Sequence, residues 1–230
     1  NGTGKLRFAL IGNSYAVNQG DQVYKHFKPF FSTFDVFTQV ECEVLAKTHS
    51  KWCMNYGNYT EMLEKFNPDV TWFAIKHPPA KEGEADPEFE EVKANLKKLL
   101  PFSKMFYILD TFPSFDSEAY NQLNNMIEKG MSAEQINAKI VHRADDIGGK
   151  IRTRKLAETC KDKCRFYDIS PAYRDQQGRF TAVDPDTLHT LFEPSMHLIG
   201  EGRERADRFY RELAKHYTHE LKDLEHKLYP

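Results

Sequence analysis

The sequence contains no apolar run long enough to cross a bilayer and no marked excess of either charge. It has 32 basic and 34 acidic residues, a formal net charge of −2 and a sequence pI of about 6.5. A transmembrane helix needs about 20 apolar residues, and binding to nucleic acid usually requires a clustered excess of positive charge. We therefore expect no membrane span within this chain and no nucleic-acid partner.

Cysteine is scarce, and its spacing does not favour a metal site. The four cysteines are Cys42, Cys53, Cys160 and Cys164. A zinc site usually needs a second pair at metal-ligand spacing, and none accompanies Cys160 and Cys164, so we expect no metal. The four are compatible with two short-range disulfides, and glycosylation sequons occur at Asn1-Gly2-Thr3 and Asn58-Tyr59-Thr60. Disulfides and sequons together favour an extracellular or lumenal compartment.

No internal repeat and no low-complexity linker divides the 230 residues, a length that buries a substantial core. Strand-like apolar runs alternate with helix-like patterns along the chain. The strand-like runs are Leu6–Ile11, Asp35–Val40, Val70–Ile75, Met105–Leu109 and Arg165–Ile169. This alternation predicts an α/β fold, a flavodoxin-like three-layer α/β/α sandwich around a mainly parallel five-stranded sheet. We expect residues 1–230 to form a single domain.

The helix-like patterns make three predictions. Apolar residues at helical spacing continue from Val23 through Phe31, and Pro29 is expected to end or bend that helix early. Ser132 and Gln135 predict a capping box for a helix that runs to Ile151 unless the Gly148-Gly149 pair breaks it. A long amphipathic helix is predicted from Arg203 onward.

One stretch near the start of the chain holds the first candidate for chemistry. Leu6–Ile11 runs directly into the turn-forming group Gly12-Asn13-Ser14-Tyr15, which predicts a buried strand that ends at a tight corner. In open α/β sheets, ligands bind beyond the carboxyl ends of the strands. Ser14 is therefore the candidate nucleophile. The alternative is a serine that only caps the following helix.

A serine hydroxyl needs a base to take its proton, and histidine is the usual base. Among nine histidines, His197 follows a long loop, precedes the final helix and has Glu193 four residues before it. A short loop can fold that carboxylate onto the far ring nitrogen and fix the tautomer. Asp186 and His189 form a rival pair. For either pair, the alternative is an exposed loop histidine beside an unrelated acid.

The two ends of the chain resemble the first and last sequence blocks of the SGNH (GDSL-like) hydrolase superfamily. The likeness rests on Gly12-Asn13-Ser14 and on the segment from Glu193 to Leu198, and it is strongest to the SGNH domain at the carboxyl end of integral-membrane acyltransferases that O-acylate sugars. It implies Ser14 as nucleophile and oxyanion donor, His197 as base and Glu193 as acid. It implies a second oxyanion donor near Cys42-Glu43, and no cofactor.

The sequence departs from the superfamily pattern after its third predicted strand. SGNH hydrolases generally carry Gly-x-Asn there, and the asparagine donates to the oxyanion; this chain has Lys76-His77-Pro78-Pro79. Losing one such donor typically lowers turnover roughly 100- to 1000-fold, and His77 or Lys76 is the candidate substitute. The spacing of Asp186 and His189 matches the usual superfamily pattern better than that of Glu193 and His197, and Glu193 has a longer arm than aspartate.

We expect a serine-dependent enzyme that transfers an acyl group, commonly acetyl, from a donor to a hydroxyl acceptor such as a glycan, or to water. The expected partner is a membrane acyltransferase domain of the same parent protein, a segment missing from this chain, which opens with Asn1 rather than Met. The alternative is a catalytically inactive glycan-binding or interaction module, and a free-standing secreted lipase or esterase is a third possibility. The loop aromatics that suit sugar stacking are Trp52, Tyr56, Tyr59, Phe112 and Phe115. The alternative is that these rings are buried under loops.

Overall fold

The computed structural model describes residues 2–46, 51, 53, 57–75, 88–110, 114–143 and 147–230. In these ranges the strands are β1 (Leu6–Gly12), β2 (Phe31–Thr38), β3 (Val70–Ala74), β4 (Met105–Leu109), β5 (Ser114–Phe115), β6 (Val141–Arg143) and β7 (Cys164–Tyr167). The α-helices are α1 (Ser14–Phe27), α2 (Tyr59–Phe66), α3 (Phe89–Leu99), α4 (Ser117–Asn121), α5 (Leu123–Glu128), α6 (Ala133–Ile140), α7 (Ile147–Cys160), α8 (Gly200–His216) and α9 (Thr218–Leu228).

The chain divides into two compact units. The first unit comprises Asn1–Thr111, Ile147–Tyr167 and Tyr210–Pro230, and the second comprises Phe112–Asp146 and Asp168–Phe209. No helix in the described ranges is both long enough and apolar enough to span a membrane.

The first unit is built on a five-stranded sheet in the order β2-β1-β3-β4-β7, and all four neighbouring pairs are parallel. Every residue of β3 and β4 is buried, as expected for parallel strands with both faces covered. The strand order is that of flavodoxin-like folds, in which the second strand lies outside the first. The α/β prediction is therefore confirmed.

Helices cover both faces of this sheet. On one face the rings of Trp72 and Tyr107 stack with centroids 4.3 Å apart, Phe27 of α1 lies 4.6 Å from Trp72, and Tyr217, which precedes α9, lies 4.8 Å from Tyr107. On the other face an apolar cluster joins the sheet to α2, α3 and α7; among its members are Ile11, Phe73, Ile108, Leu63, Leu96 and Leu156. These are the three predicted layers.

Helix α1 stops at Phe27, just before Pro29, so the expectation that this proline ends the helix early is confirmed. Phe31, which the helical spacing included, begins β2 instead. The predicted long C-terminal helix begins at Gly200 rather than Arg203 and is divided, with Thr218 starting α9. The division at Tyr217 leaves no mark in the spacing of the apolar residues, which continues across it.

The predicted helix from Ser132 to Ile151 is two helices. The capping box of Ser132 and Gln135 is present, but α6 ends at Ile140, where β6 begins and pairs antiparallel with β5. Gly148 and Gly149 lie in the first turn of α7 and do not break it. The first amides of a helix have no intrahelical partner, and flexible residues are tolerated better there than in the helix interior.

The four cysteines form two short-range disulfides, an arrangement with which their spacing is compatible. Cys42 bonds to Cys53 and Cys160 bonds to Cys164, with sequence separations of 11 and 4. Oxidised sulfurs cannot bind zinc as thiolates, so the zinc alternative for Cys160 and Cys164 is excluded in this state. Two disulfides also fit an extracellular or lumenal domain.

The second unit has its own apolar cluster, which includes Tyr120, Leu123, Met126, Ile136, Ile140, Ala182 and Val183. The buried side chain of Asn137 ties α6 to the segment that follows β7. Its Oδ1 accepts from the amides of Ala182 and Val183 at 2.7 and 3.0 Å, and its Nδ2 donates to the carbonyl of Val183 at 3.0 Å. One amide side chain thus satisfies three backbone groups that strand pairing would otherwise satisfy.

Candidate active site

Ser14 is the first residue of α1, and it does not cap the helix. Asn13 is the N-cap: its Oδ1 accepts from the amide of Tyr15 at 3.2 Å, and its carbonyl accepts from the amide of Ala16 at 3.0 Å. Asn13 is 6% exposed, whereas Ser14 is half-buried. The capping alternative is therefore wrong, because the capping role belongs to the preceding asparagine.

A close approach between β1 and β3 fixes the corner that holds Ser14. A Cβ atom placed on Gly12 would lie 2.2 Å from the carbonyl oxygen of Ala74 and 2.5 Å from Cβ of Ala16. Because real Cβ contacts are never that short, only glycine fits where β1, β3 and the first turn of α1 meet. The position of Ser14 is thus determined by backbone packing on the sheet.

The electrostatics of this corner favour an anion. The first turn of α1 contains no acidic residue, and the helix is 14 residues long, so its N-terminus presents the positive end of the helix dipole. Asn13 satisfies the amide of Tyr15, while within the described part of the first unit neither the amide nor the hydroxyl of Ser14 donates a hydrogen bond. Such an amide is suited to donate to a developing oxyanion.

Two of the other predicted oxyanion donors, Cys42 and Glu43, lie in the loop after β2. The amide of Cys42 donates to the carbonyl of Gln39 at 3.2 Å and closes a turn, and Glu41 in that turn has a left-handed φ of 63°. The role of Glu43, the next residue, as an oxyanion donor stays a prediction. His77 and the rest of the segment 76–79 lie outside the described residues.

A tight turn organises the candidate acid and base in the second unit. Phe192 and Leu198 form an antiparallel bridge, and the amide of Glu193 donates to the carbonyl of His197 at 2.9 Å. The amide of Met196 donates back to the carbonyl of Glu193 at 2.8 Å, and Met196 adopts a left-handed φ of 69°. This reversal places the side chains of residues 193 and 197 beside each other.

Glu193 and His197 are in direct contact within this turn. Oε1 of Glu193 contacts Nδ1 of His197, and the two side chains are 43% and 23% exposed. The carboxylate is an acceptor, so the contact favours the tautomer that carries its proton on Nδ1. Nε2, which lies on the other side of the ring and is buried from solvent, is then the nitrogen that takes up a proton.

Hydrogen bonds keep this acid charged. The pKa of Glu193 is lowered from its ordinary value, first by the hydrogen bond from Ser195 and then by the one from His197. Tyr120 of α4 lies near the same turn and donates its hydroxyl to the carbonyl of Phe192. Burial raises the pKa of Tyr120, and the charge of Glu193 raises it further, so this donor stays protonated.

The structure does not bring the rival pair together. Asp186 and His189 are both exposed, and within the described ranges no hydrogen bond or ion pair joins their side chains. The acid that this loop organises is Asp184, which is 4% exposed and pairs with Arg205. Although burial opposes it, hydrogen bonds from the amides of Thr187 and Asp186 hold the pKa of Asp184 below its ordinary value.

Sequence reasoning missed Asp184 and the hydroxyl of Ser195. The Asp184-Pro185 start of a turn was a usable signal, since aspartate often accepts hydrogen bonds from amides two and three residues later. For Ser195, the signal was its position between an acid and a histidine. Its Oγ contacts Oε1 of Glu193 and lies 2.9 Å from Nδ1 of His197.

Two of the aromatic residues considered for sugar stacking are packed inward, as the alternative of burial predicts. Tyr59 is the first residue of α2, is 5% exposed and donates its hydroxyl to Oε1 of Gln39 at 3.2 Å. The ring of Phe115 packs edge-on against Phe192 with centroids 5.3 Å apart. Trp52, Tyr56 and Phe112 lie outside the described residues. Among the described residues, no group of three or more His, Cys, Asp or Glu side chains has the arrangement of a metal site.

The structure thus combines a five-stranded parallel sheet with a serine that follows its first strand. The family model described as an SGNH domain (fused to AT3 domains) matches residues 1–211, and this chain belongs to that family. Members of the superfamily are esterases and acyltransferases. Acyl transfer or ester hydrolysis is thus the general chemistry of this class.

Solved structures are similar to this chain at low sequence identity. The periplasmic domain of a lipopolysaccharide acetyltransferase from Salmonella ser. Paratyphi A has a TM-score of 0.53 and 11% identity, covering 89% of this chain and 81% of that one. A candidate acylhydrolase from Bacteroides fragilis has a TM-score of 0.47 and 13% identity, covering 91% and 86%. A GDSL-like lipase from Bacteroides thetaiotaomicron has a TM-score of 0.45 and 9% identity, covering 91% and 87%. No curated protein matches the sequence.

Proposed function

We propose that this chain is the SGNH domain of a larger membrane acyltransferase and that it transfers an acyl group through Ser14. The contact between Glu193 and His197 supports this proposal most directly, because an oriented, charged acid beside an imidazole is what a serine nucleophile needs. The domain would occupy residues 1–230 on the extracellular or lumenal side of a membrane. A separate part of the parent protein would tether it there and supply the acyl group.

In the proposed mechanism, Oγ of Ser14 attacks the carbonyl carbon of the acyl donor while its proton passes to Nε2 of His197. The carboxylate of Glu193 stabilises the imidazolium that forms. The amide of Ser14 donates to the developing oxyanion, which breaks down to an acyl ester on Ser14 as the imidazolium protonates the leaving group. A hydroxyl acceptor, deprotonated by the same imidazole, then attacks the ester and restores the serine.

We propose an acetyl group as the cargo and a glycan hydroxyl as the acceptor. The family architecture, in which this domain is fused to AT3 domains, supports a membrane partner of the same chain. We propose that one further donor, at Cys42, Glu43 or His77, shares the developing charge with the amide of Ser14. The amide of Cys42 already donates to the carbonyl of Gln39, which favours Glu43 or His77 for this role.

A modification is proposed at Asn58, the asparagine of the second sequon. Asn58 is exposed at the N-cap of α2, and its Oδ1 accepts from the amide of Glu61 at 3.2 Å. A glycan on Nδ2 leaves that oxygen in place to cap the helix. Expression through a eukaryotic secretory pathway should give a glycosidase-sensitive mass increase that Asn58→Gln reduces and that a Thr60→Ser variant retains.

A fluorophosphonate probe tests the catalytic proposal. Wild-type protein should label at one site, Ser14→Ala should not label, and His197→Ala should label more slowly. His189→Ala is the matched control, because it removes an exposed loop histidine of the same unit and should label at the wild-type rate. Absence of labelling in folded wild-type protein would contradict the proposal and favour an inactive glycan-binding module.

A further inference from the structure

The hydroxyl of Ser195 lies between the proposed acid and base. Its Oγ contacts Oε1 of Glu193 and lies 2.9 Å from Nδ1 of His197. We propose that Ser195 is a positioning residue, which holds the carboxylate of Glu193 against the imidazole so that the base keeps one tautomer and one orientation. This inference rests on the proposed function, and it adds a fourth side chain to the site.

The hydrogen-bonding chemistry of Ser195, Glu193 and His197 determines which group donates each proton. A carboxylate only accepts, so the hydroxyl of Ser195 donates to Oε1 of Glu193. Nδ1 of His197 contacts the same oxygen and therefore carries the second donated proton. One carboxylate oxygen then receives two hydrogen bonds from different directions, which opposes rotation of the side chain away from the ring.

The length of the Glu193 side chain makes a second hydrogen bond to its carboxylate useful. Glutamate has one more rotatable bond than aspartate and loses more side-chain entropy when it is held in place. Glu193 is 43% exposed, and packing alone therefore restrains its carboxylate weakly. Ser195 is well placed to supply the restraint, because the turn closed between Glu193 and Met196 directs residue 195 back toward both partners.

The lowered pKa of Glu193 supports the same role for Ser195 as the geometry does. The hydrogen bond from Ser195 is the largest of the influences that lower the pKa of Glu193, ahead of the one from His197. Besides these two, Tyr120 is the titratable group of another element that interacts with Glu193. Its hydroxyl donates to a backbone carbonyl instead, so it does not replace Ser195 as a donor.

Two variants and one control separate positioning from a merely structural role. Ser195→Ala removes the hydroxyl, and Ser195→Thr retains it and should rescue. Ser117→Ala is the matched control, because Ser117 is exposed in the same unit and lies outside the turn. Circular dichroism and thermal unfolding establish that each variant is folded before it is compared.

The first measurement is the tautomer of His197 by nitrogen-15 NMR at a pH where the ring is neutral, which needs no activity. Wild type, Ser195→Thr and Ser117→Ala should hold the proton on Nδ1, whereas Ser195→Ala should show a population with the proton on Nε2. The second is turnover: kcat of Ser195→Ala should fall about tenfold with little change in KM, the size expected for losing one hydrogen bond to a charged group.

The outcomes distinguish this inference from the proposed function. If Ser195→Ala keeps both the wild-type tautomer and the wild-type kcat while Ser14→Ala is inactive, the inference is wrong and the proposed function stands. If the wild type has no serine-dependent activity but its tautomer changes in Ser195→Ala, the proposed function fails and the ordering of His197 by Ser195 stands.

Discussion

Replacing Glu193 by glutamine removes the negative charge beside Nδ1 of His197 and nearly preserves the shape of the side chain. In the folded protein the carboxylate accepts from Ser195 and from His197, and both hydrogen bonds would lose their charged partner. The glutamine can also present its NH₂ group to the ring, which would favour the wrong tautomer. We expect Glu193→Gln to fold normally and to transfer acyl groups slowly.

The size of the effect follows from the exposure of the pair. Two unit charges about 4 Å apart interact with roughly 1 kcal/mol in bulk water and roughly 4 kcal/mol near a protein surface. With side chains 43% and 23% exposed, solvent screening places this pair between those limits. A loss of about 2 kcal/mol of transition-state stabilisation corresponds to about a 30-fold drop in kcat/KM.

The assay is hydrolysis of an activated acetyl ester by purified protein, followed at several salt concentrations. Asp186→Asn is the control, because it removes a carboxylate from an exposed position of the rival pair and should leave kcat/KM unchanged. A Glu193→Gln variant that retains activity within about twofold of wild type would refute the reasoning, and so would a large loss in Asp186→Asn.

Three further predictions concern the scaffold and its charge. Gly12→Ala should lower the free energy of unfolding by about 1 to 3 kcal/mol or more in urea titrations, because its Cβ would overlap the carbonyl of Ala74; an unchanged midpoint would contradict the close packing. Replacing Cys42 and Cys53 by serine should cost about 3 kcal/mol, since the bond closes a short loop; equal stability of reduced and oxidised protein would contradict this. The pKa of Glu193 lies below its ordinary value of 4.5, so its stabilising contribution is present above that pH and is lost as the pH falls through the lowered pKa. The difference in unfolding free energy between wild type and Glu193→Gln should therefore shrink in acid, and a constant difference would contradict the shift.

The central strands were predictable because a strand that is buried on both faces has an unbroken run of apolar or β-branched residues. The run at Val70–Ala74 is apolar or β-branched throughout, and it forms a fully buried strand. The strand at Val141–Arg143 has no such run, because it is short and depends on pairing with Ser114–Phe115. Pairing between distant segments cannot be read from local periodicity.

The candidate site was predictable to the extent that its residues are close in sequence. Four-residue spacing and a short turn were enough to expect Glu193 beside His197, and the two are in contact. The spacing typical of the superfamily favoured Asp186 with His189. In the structure, however, the amides of this loop donate to the carboxylate of Asp184. Which acid faces which base depends on backbone hydrogen bonds that composition does not reveal.

The most direct test of the central claim is to trap the acyl group on the protein. Folded wild-type protein is mixed with an activated acetyl ester, quenched in acid within the first turnover, digested and mapped by mass spectrometry. We predict one acetyl group on the peptide that contains Ser14, no such peptide in Ser14→Ala, and slower formation in His197→Ala. Ester turnover with no acetyl on Ser14, or equal acetylation in wild type and His197→Ala, would contradict the account.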